Sequence, residues 1–200
     1  KVAKAIPVIK DINIFSRELY EDLKSSEDFN FTYDRKGLLM CYQTENAGEE
    51  EWETGQRAIK EGLKVENLTK DKVKKLEPNV DLNVKGAVYY HSDAHMTPNN
   101  FMQELKAYLE QKGVIILSNE EVVDVDFKNG TIHSLRTNNQ KIKGDKFVLA
   151  TGSWSQDFAK KIGVNIPIQA GKGYSINVKR ETNITIPAIL IEAKVAVTPM

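Results

Sequence analysis

The run Phe147-Val148-Leu149-Ala150-Thr151-Gly152-Ser153-Trp154-Ser155 carries the most chemical information in the chain. A short apolar strand that ends abruptly in Thr-Gly sets backbone beyond the carboxyl end of a sheet, where open α/β folds bind their ligands. Gly152 would let the main chain approach a cofactor closely there. A plain turn into the following helix is the competing reading. A second run, Gly171-Lys172-Gly173-Tyr174-Ser175, is glycine-rich and holds a lysine, but it lacks the spacing of a phosphate-binding loop. Inside a strand from Ile166 to Val178 its glycines suggest a bulge or a close ligand. Lys172 and Tyr174 then either face a pocket or sit in an exposed turn and a core.

Other reactive residue types are less convincing. His91, Asp93 and His95 are suitable ligands for zinc or iron. They precede the helix cap at Thr97, however, and loop residues lack the fixed face that two helical histidines share. A metal-dependent hydrolase is the function they would imply, and loop polar residues the plainer reading; no metal ligand is assigned. Gly152-Ser153-Trp154-Ser155-Gln156 lacks the final glycine of a nucleophile elbow. Cys41 lies in a strand and reads as a small buried hydrophobe. Glu120 and Glu121 are adjacent and solvated, so they make no acid–base pair. No residue is assigned a catalytic role. The twelve glycines include no Gly-x-Gly-x-x-Gly, so spacing alone does not imply a nucleotide cofactor.

These residues need a scaffold, and composition bounds it. A chain of 200 residues buries roughly 70% of the surface that its unfolded form exposes. The 28 basic and 28 acidic residues cancel, which argues against nucleic-acid binding through bulk charge. One cysteine excludes an internal disulfide framework. No apolar run approaches the ~18 residues of a membrane-spanning helix.

Apolar spacing predicts a helix over residues 11–24 that buries Ile12, Phe15, Leu19 and Leu23. Strands at Phe29–Tyr33 and Leu38–Gln43 are joined by the turn signal Asp34-Arg35-Lys36-Gly37. A charged helix over residues 45–62, a short helix after Thr69 and a strand at Gly86–Tyr90 follow. Thr97 and Pro98 open another helix, which ends at Gly113. Val114–Leu117 reads as a buried strand. Asn129-Gly130 is the strongest hairpin signal in the chain and joins residues 122–127 to 131–136. Lys146–Ala150 is a strand, 154–162 a short helix, and 166–178 and 189–197 are strands.

From about Asp93 onward the order of these pieces resembles the FAD-dependent amine and amino-acid oxidoreductases of the D-amino acid oxidase, glycine oxidase and sarcosine oxidase type. The markers are Lys112-Gly113-Val114, Glu121-Val122-Val123-Asp124-Val125, the Ala-Thr-Gly-Ser-Trp-Ser run, Ile166-Pro167-Ile168, Gly171 to Ser175 and Glu192 to Thr198. The Lys-Gly-Tyr-Ser run is most similar to the D-amino-acid dehydrogenase branch.

The resemblance implies hydride transfer from the α-carbon of a D-amino acid or related amine to FAD, with hydrolysis of the imine to a 2-oxo acid and ammonia. It implies that Val122, Ala150, Thr151, Gly152 and Trp154 lie along FAD, and that Lys172, Gly173 and Tyr174 lie near the substrate. The expected fold is α+β with an α/β part. Residues 93–163 belong to a doubly wound FAD domain, and 1–92 with 164–200 to a substrate domain on an antiparallel sheet. The glycine fingerprint and the substrate-binding arginine of the family are expected outside residues 1–200, which makes this an internal piece, inactive alone. The expected partners are a small amine or amino acid and an electron acceptor, with no nucleic acid. The location expected is cytoplasmic, or peripheral at the inner membrane surface. A stand-alone module that binds a small ligand or a protein without catalysis remains the alternative.

Overall fold

The computed structural model describes residues 2–199, which form a mixed helix-and-sheet structure in two compact units: residues 2–114 with 179–199, and Ile115–Val178. The first unit opens with α1 (Val2–Ser25), β1 (Tyr33–Asp34), β2 (Leu38–Tyr42), α2 (Glu45–Lys60) and β3 (Val65–Thr69). It continues with α3 (Lys70–Leu76), β4 (Gly86–Tyr90), β5 (His95–Met96) and α4 (Pro98–Gln111). The second unit holds β6 (Val122–Lys128), β7 (Thr131–Thr137), β8 (Lys141–Lys143), a 3-10 turn at Gly152–Trp154 and α5 (Ser155–Lys161). The chain then returns to the first unit as β9 (Ala188–Leu190) and β10 (Val195–Val197).

The main sheet has the order β10-β9-β2-β4-β3, antiparallel throughout except where β2 lies parallel to β9. Strand alternation explains its two faces. Leu39, Cys41, Leu68 and Ala87 share one face and pack with Val73 of α3, Val84, Ile186 and Ala188 in one buried cluster. The opposite face carries buried Val65 and Val88, which α2 covers. Gly55 permits that close approach, because a Cβ there would lie 3.1 Å from Val88 and 3.2 Å from Val65. Each fully buried Leu or Val contributes about 1.5–3 kcal/mol over an exposed one.

A second cluster joins Phe29, Phe31 and Phe101, with Tyr20, Leu23 and Tyr108 packed around them. Phe31 and Phe101 meet edge to face at 4.8 Å, the arrangement that ring quadrupoles favour. This cluster holds α1 against α4. It also corrects the reading of α1. Leu23 packs inward, but Ile12, Phe15 and Leu19 are 62%, 60% and 47% exposed. Periodicity found an apolar stripe, while the aromatic contacts fix which side of α1 turns inward.

Residues 29–43 also differ from the expected hairpin. Of the first strand only β1 forms, and it pairs with β5, while β2 pairs with β4 and β9. Gly37, at φ 74°, turns the chain, and its N–H donates to the Asp93 carbonyl at 2.9 Å.

In the second unit the Asn-Gly hairpin forms as its residue types require. Asn129 and Gly130 adopt φ of 52° and 77°, the paired left-handed geometry of a tight hairpin turn. The strands expected at Val114–Leu117, Lys146–Ala150 and Ile166–Val178 do not form. Those runs have the apolar residues of buried strands, yet no strand among the described residues pairs with them. Ile115 is 83% exposed, Val148 91% and Ile176 88%. A ladder needs a partner for every N–H and C=O, and residue type alone supplies none.

Candidate functional site

Val122 opens β6 half-buried, in register with Thr137. Ala150, Thr151 and Gly152 are exposed, and Trp154 is 75% exposed. Gly152 sits at φ 54°, and a Cβ there would meet nothing within 4 Å. The Thr151 and Ser155 hydroxyls lie 3.1 Å apart and join the 3-10 turn to α5. Lys161 on α5 donates to the Val123 carbonyl at 2.7 Å, which ties α5 to the start of β6. The structure therefore holds the five cofactor candidates within one unit, with Ala150, Thr151, Gly152 and Trp154 exposed and Val122 half-buried.

Lys172, Gly173 and Tyr174 belong to the same unit but lie outside any regular element. Tyr174 is 89% exposed, and the Lys172 ammonium stands 5.4 Å from its ring centroid. That contact is a solvated cation–π pair, worth about 0.5–1 kcal/mol. It gives the two residues a shared position without enclosing a pocket.

His91, Asp93 and His95 do not converge. His91 Nε2 lies 2.7 Å from Glu66, whereas His95 Nε2 lies 3.8 Å from Asp34. No group of three or more His, Cys, Asp or Glu side chains among the described residues is placed to hold a metal.

The first unit also contains an open groove of about 570 Å³ between α1 and the Ser92–Met96 segment. Ile6, Ile9, Ile14 and Met96 line it with apolar surface, and Arg17, Asp93 and His95 add polar groups. Arg17 donates from Nη1 to the Ser92 carbonyl at 2.9 Å. Burial pushes the Asp93 carboxyl above its ordinary range, and the charge of Arg17 pulls it partly back. Desolvation pushes His95 down, and its Nδ1 is buried without a partner. An unpaired buried polar atom costs about 1–3 kcal/mol.

Glu77 was invisible to sequence reasoning. It is 2% exposed, and its carboxylate accepts hydrogen bonds from the Thr185 N–H at 2.9 Å, the Thr185 hydroxyl at 3.0 Å and the Ile186 N–H. This carboxylate holds the returning chain beside α3. Its charge also helps, after burial, to push the Cys41 thiol up to about 11. Cys41 is therefore a protonated core thiol at neutral pH. The signal at Glu77 was only an acid before Pro78.

These two units, one built on a mixed sheet and the other carrying an open Thr-Gly turn, have relatives. The family model for FAD-dependent oxidoreductases matches residues 5–199, and the chain belongs to that family. Among curated proteins, the D-amino acid dehydrogenase of Helicobacter pylori is 33% identical over 153 residues, covering 76% of this chain and 36% of that protein. The D-amino acid dehydrogenase of Vibrio vulnificus is 27% identical over 192 residues, covering 92% of this chain and 45% of that protein. The chain thus spans less than half the length of these relatives.

Among solved structures, glycine oxidase from Bacillus cereus aligns with a TM-score of 0.66 at 24% identity, over 76% of this chain and 42% of its own. L-proline dehydrogenase from P. horikoshii aligns with a TM-score of 0.73 at 22% identity, over 94% and 52%. These likenesses show the fold.

The residues present suit part of FAD. Open backbone at Thr151-Gly152 and the exposed Trp154 indole offer an uncharged, flat surface. They do not suit its diphosphate, because the first turn of α5 carries Asp157, and an anion at a helix start is repelled by an acidic side chain there.

Proposed function

We propose that this chain is the middle part of a flavoenzyme that oxidises D-amino acids, or closely related amines, to 2-oxo acids and ammonia. The observation that carries the reading is the family match over residues 5–199, together with the D-amino acid dehydrogenase relatives at about a third identity. FAD, when bound, accepts the hydride that leaves the substrate α-carbon. Water then hydrolyses the resulting imine, and nitrogen departs as ammonia.

In this reading the chain's own residues orient the cofactor and shape the pocket. Val122 contacts the cofactor through its backbone, Ala150, Thr151 and Gly152 lie along it, and Trp154 packs just beyond. Lys172, Gly173 and Tyr174 stand near the substrate. The proposed division is a substrate domain from residues 1–92 and 164–200 and part of the FAD domain from 93–163; the compact units depart from it, keeping 93–114 with the first stretch and 164–178 with the second unit. The pairing of β2 with β9 supports the first half of that division. The location proposed is the cytoplasm, at or near the inner membrane surface, on the resemblance to the dehydrogenase branch.

A product assay tests the activity. The full-length protein carrying this chain, loaded with FAD and given an artificial electron acceptor, should convert D-amino acids to equal amounts of 2-oxo acid and ammonia. No product from any D-amino acid would contradict the reading. The 200-residue chain alone should neither turn over nor retain flavin through gel filtration.

A further inference from the structure

Helix α1 carries a row of apolar side chains that the rest of the described chain leaves uncovered. Val8, Ile12, Phe15 and Leu19 are 58%, 62%, 60% and 47% exposed. Their spacing alternates four, three and four residues, the 3.5-residue repeat of a helix-on-helix seam. The opposite side of α1 is already occupied: Tyr20 and Leu23 pack in the aromatic cluster, and Arg17 donates to the Ser92 carbonyl. The row begins after Pro7, which removes a backbone hydrogen bond from the first turns, so it lies on the unbroken part of the helix. At 1.5 Å per residue it runs for about 17 Å. Asp11, Glu18 and Asp22 edge it on one side, and Ile9 and Ser16 on the other. Lys10 stands 3.5 Å from Asp11, whereas Glu18 and Asp22 make no ion pair among the described residues.

We propose that this row is the docking face for a second amphipathic helix, supplied by the part of the full-length polypeptide outside residues 1–200, with Lys or Arg along the edge that meets Glu18 and Asp22. Three observations favour that occupant. A contiguous exposed apolar stripe marks an interaction surface. This one is narrow and bounded by acids, so a helix covers it without desolvating Glu18 and Asp22, as a broad sheet face would. Charge disfavours a second copy. An antiparallel two-fold pairing sets one acidic edge against the other, and a parallel pairing sets Glu18 against the uncharged Ile9 and Ser16 edge. The same acids disfavour an anionic lipid surface, which interfacial helices meet with Lys and Arg. The chain spans only 36% and 45% of the two D-amino acid dehydrogenase relatives described above, so more than half of each polypeptide lies outside the matched part. The proposal rests on the proposed function only in taking residues 1–200 as part of a longer polypeptide.

Photo-crosslinking of the full-length protein tests this, with Phe15 replaced by benzoylphenylalanine and phosphatidylglycerol vesicles present. Peptide mapping should find the adduct within one polypeptide, on a basic, apolar-striped segment outside residues 1–200. An adduct to a second copy, to phospholipid or to residues 1–200, or no adduct, would overturn the proposal. A second measurement serves if that variant fails to fold. In the full-length protein, maleimide should label Ile12→Cys about ten-fold or more slowly than Lys106→Cys, although both positions are exposed in this chain. Adding Glu18→Lys should speed the labelling of Ile12→Cys, whereas Glu53→Lys on α2 should leave it unchanged. Equal labelling at Ile12→Cys and Lys106→Cys, or protection that disappears on dilution, would also overturn it. Neither readout needs turnover, so failure here and failure of the oxidation assay are separate results.

Discussion

Two stretches of this chain have almost the same apolar character and opposite fates. Leu38–Tyr42 lies mid-sheet with Leu39 fully buried, flanked by β4 and β9. Lys146–Ala150, equally apolar, has no strand beside it, and Val148 is 91% exposed. The difference lies in partners. β2 draws its neighbours from residues 86–90 and 188–190, and Glu77 fixes the approach of the second. A hydrophobic run is a local property, but its burial depends on chain far away in sequence.

That contrast fails or sharpens under substitution. The largest effects should fall where partners are complete. Leu39→Ala should lower the unfolding free energy by about 2–5 kcal/mol, read from urea denaturation. Glu77→Ala should cost about 3 kcal/mol, because it strands the Thr185 and Ile186 donors in a buried site. If Glu77→Ala is silent, the returning strand is held by β2 alone. A smaller loss, about 1–3 kcal/mol, is expected for Gly86→Ala, since the new methyl would crowd the Tyr42 hydroxyl and lie 2.5 Å from the Leu68 carbonyl oxygen.

His95 should contribute a pH dependence confined to mild acid. Its folded pKa lies below 6.5, so the folded state binds fewer protons than the unfolded state just under that value. Stability from this group is therefore present above pH 6.5 and lost as pH falls towards the folded pKa. Denaturation series between pH 7.5 and 5 should show that slope, and His95→Asn should flatten it. The smallest effect belongs to Val148→Ser, within about 0.5 kcal/mol in this chain, as for an exposed site. A loss there matching that of Leu39→Ala would break the comparison between the two stretches.

Much of the fold was legible because its signals were local. The Asn129-Gly130 turn dictated the β6–β7 hairpin, and Thr97-Pro98 marked the start of α4. The cap of α2 was not singled out in the sequence: the Thr44 hydroxyl accepts from the Ala47 N–H at 3.3 Å. What escaped was non-local. Arg17 and Ser92 are 75 residues apart and meet only because α1 packs beside the segment leading into β5. Glu77 meets Thr185 across 108 residues. The Ile12, Phe15 and Leu19 stripe was read correctly as apolar but not as exposed, because spacing identifies a face and not its cover. The Thr-Gly turn and its tryptophan stood out in the sequence, and the structure puts them in the same unit as β6. Their chemistry came from resemblance, since backbone and an indole carry no distinctive spacing of their own.

Whether a D-amino acid delivers hydride to flavin is read most directly by anaerobic mixing of the FAD-loaded full-length protein with D- and L-enantiomers. The account predicts that the oxidised flavin absorbance bleaches with the D-enantiomers and persists with the L-enantiomers. Flavin that stays oxidised with every D-amino acid, or bleaches only with L, would contradict it.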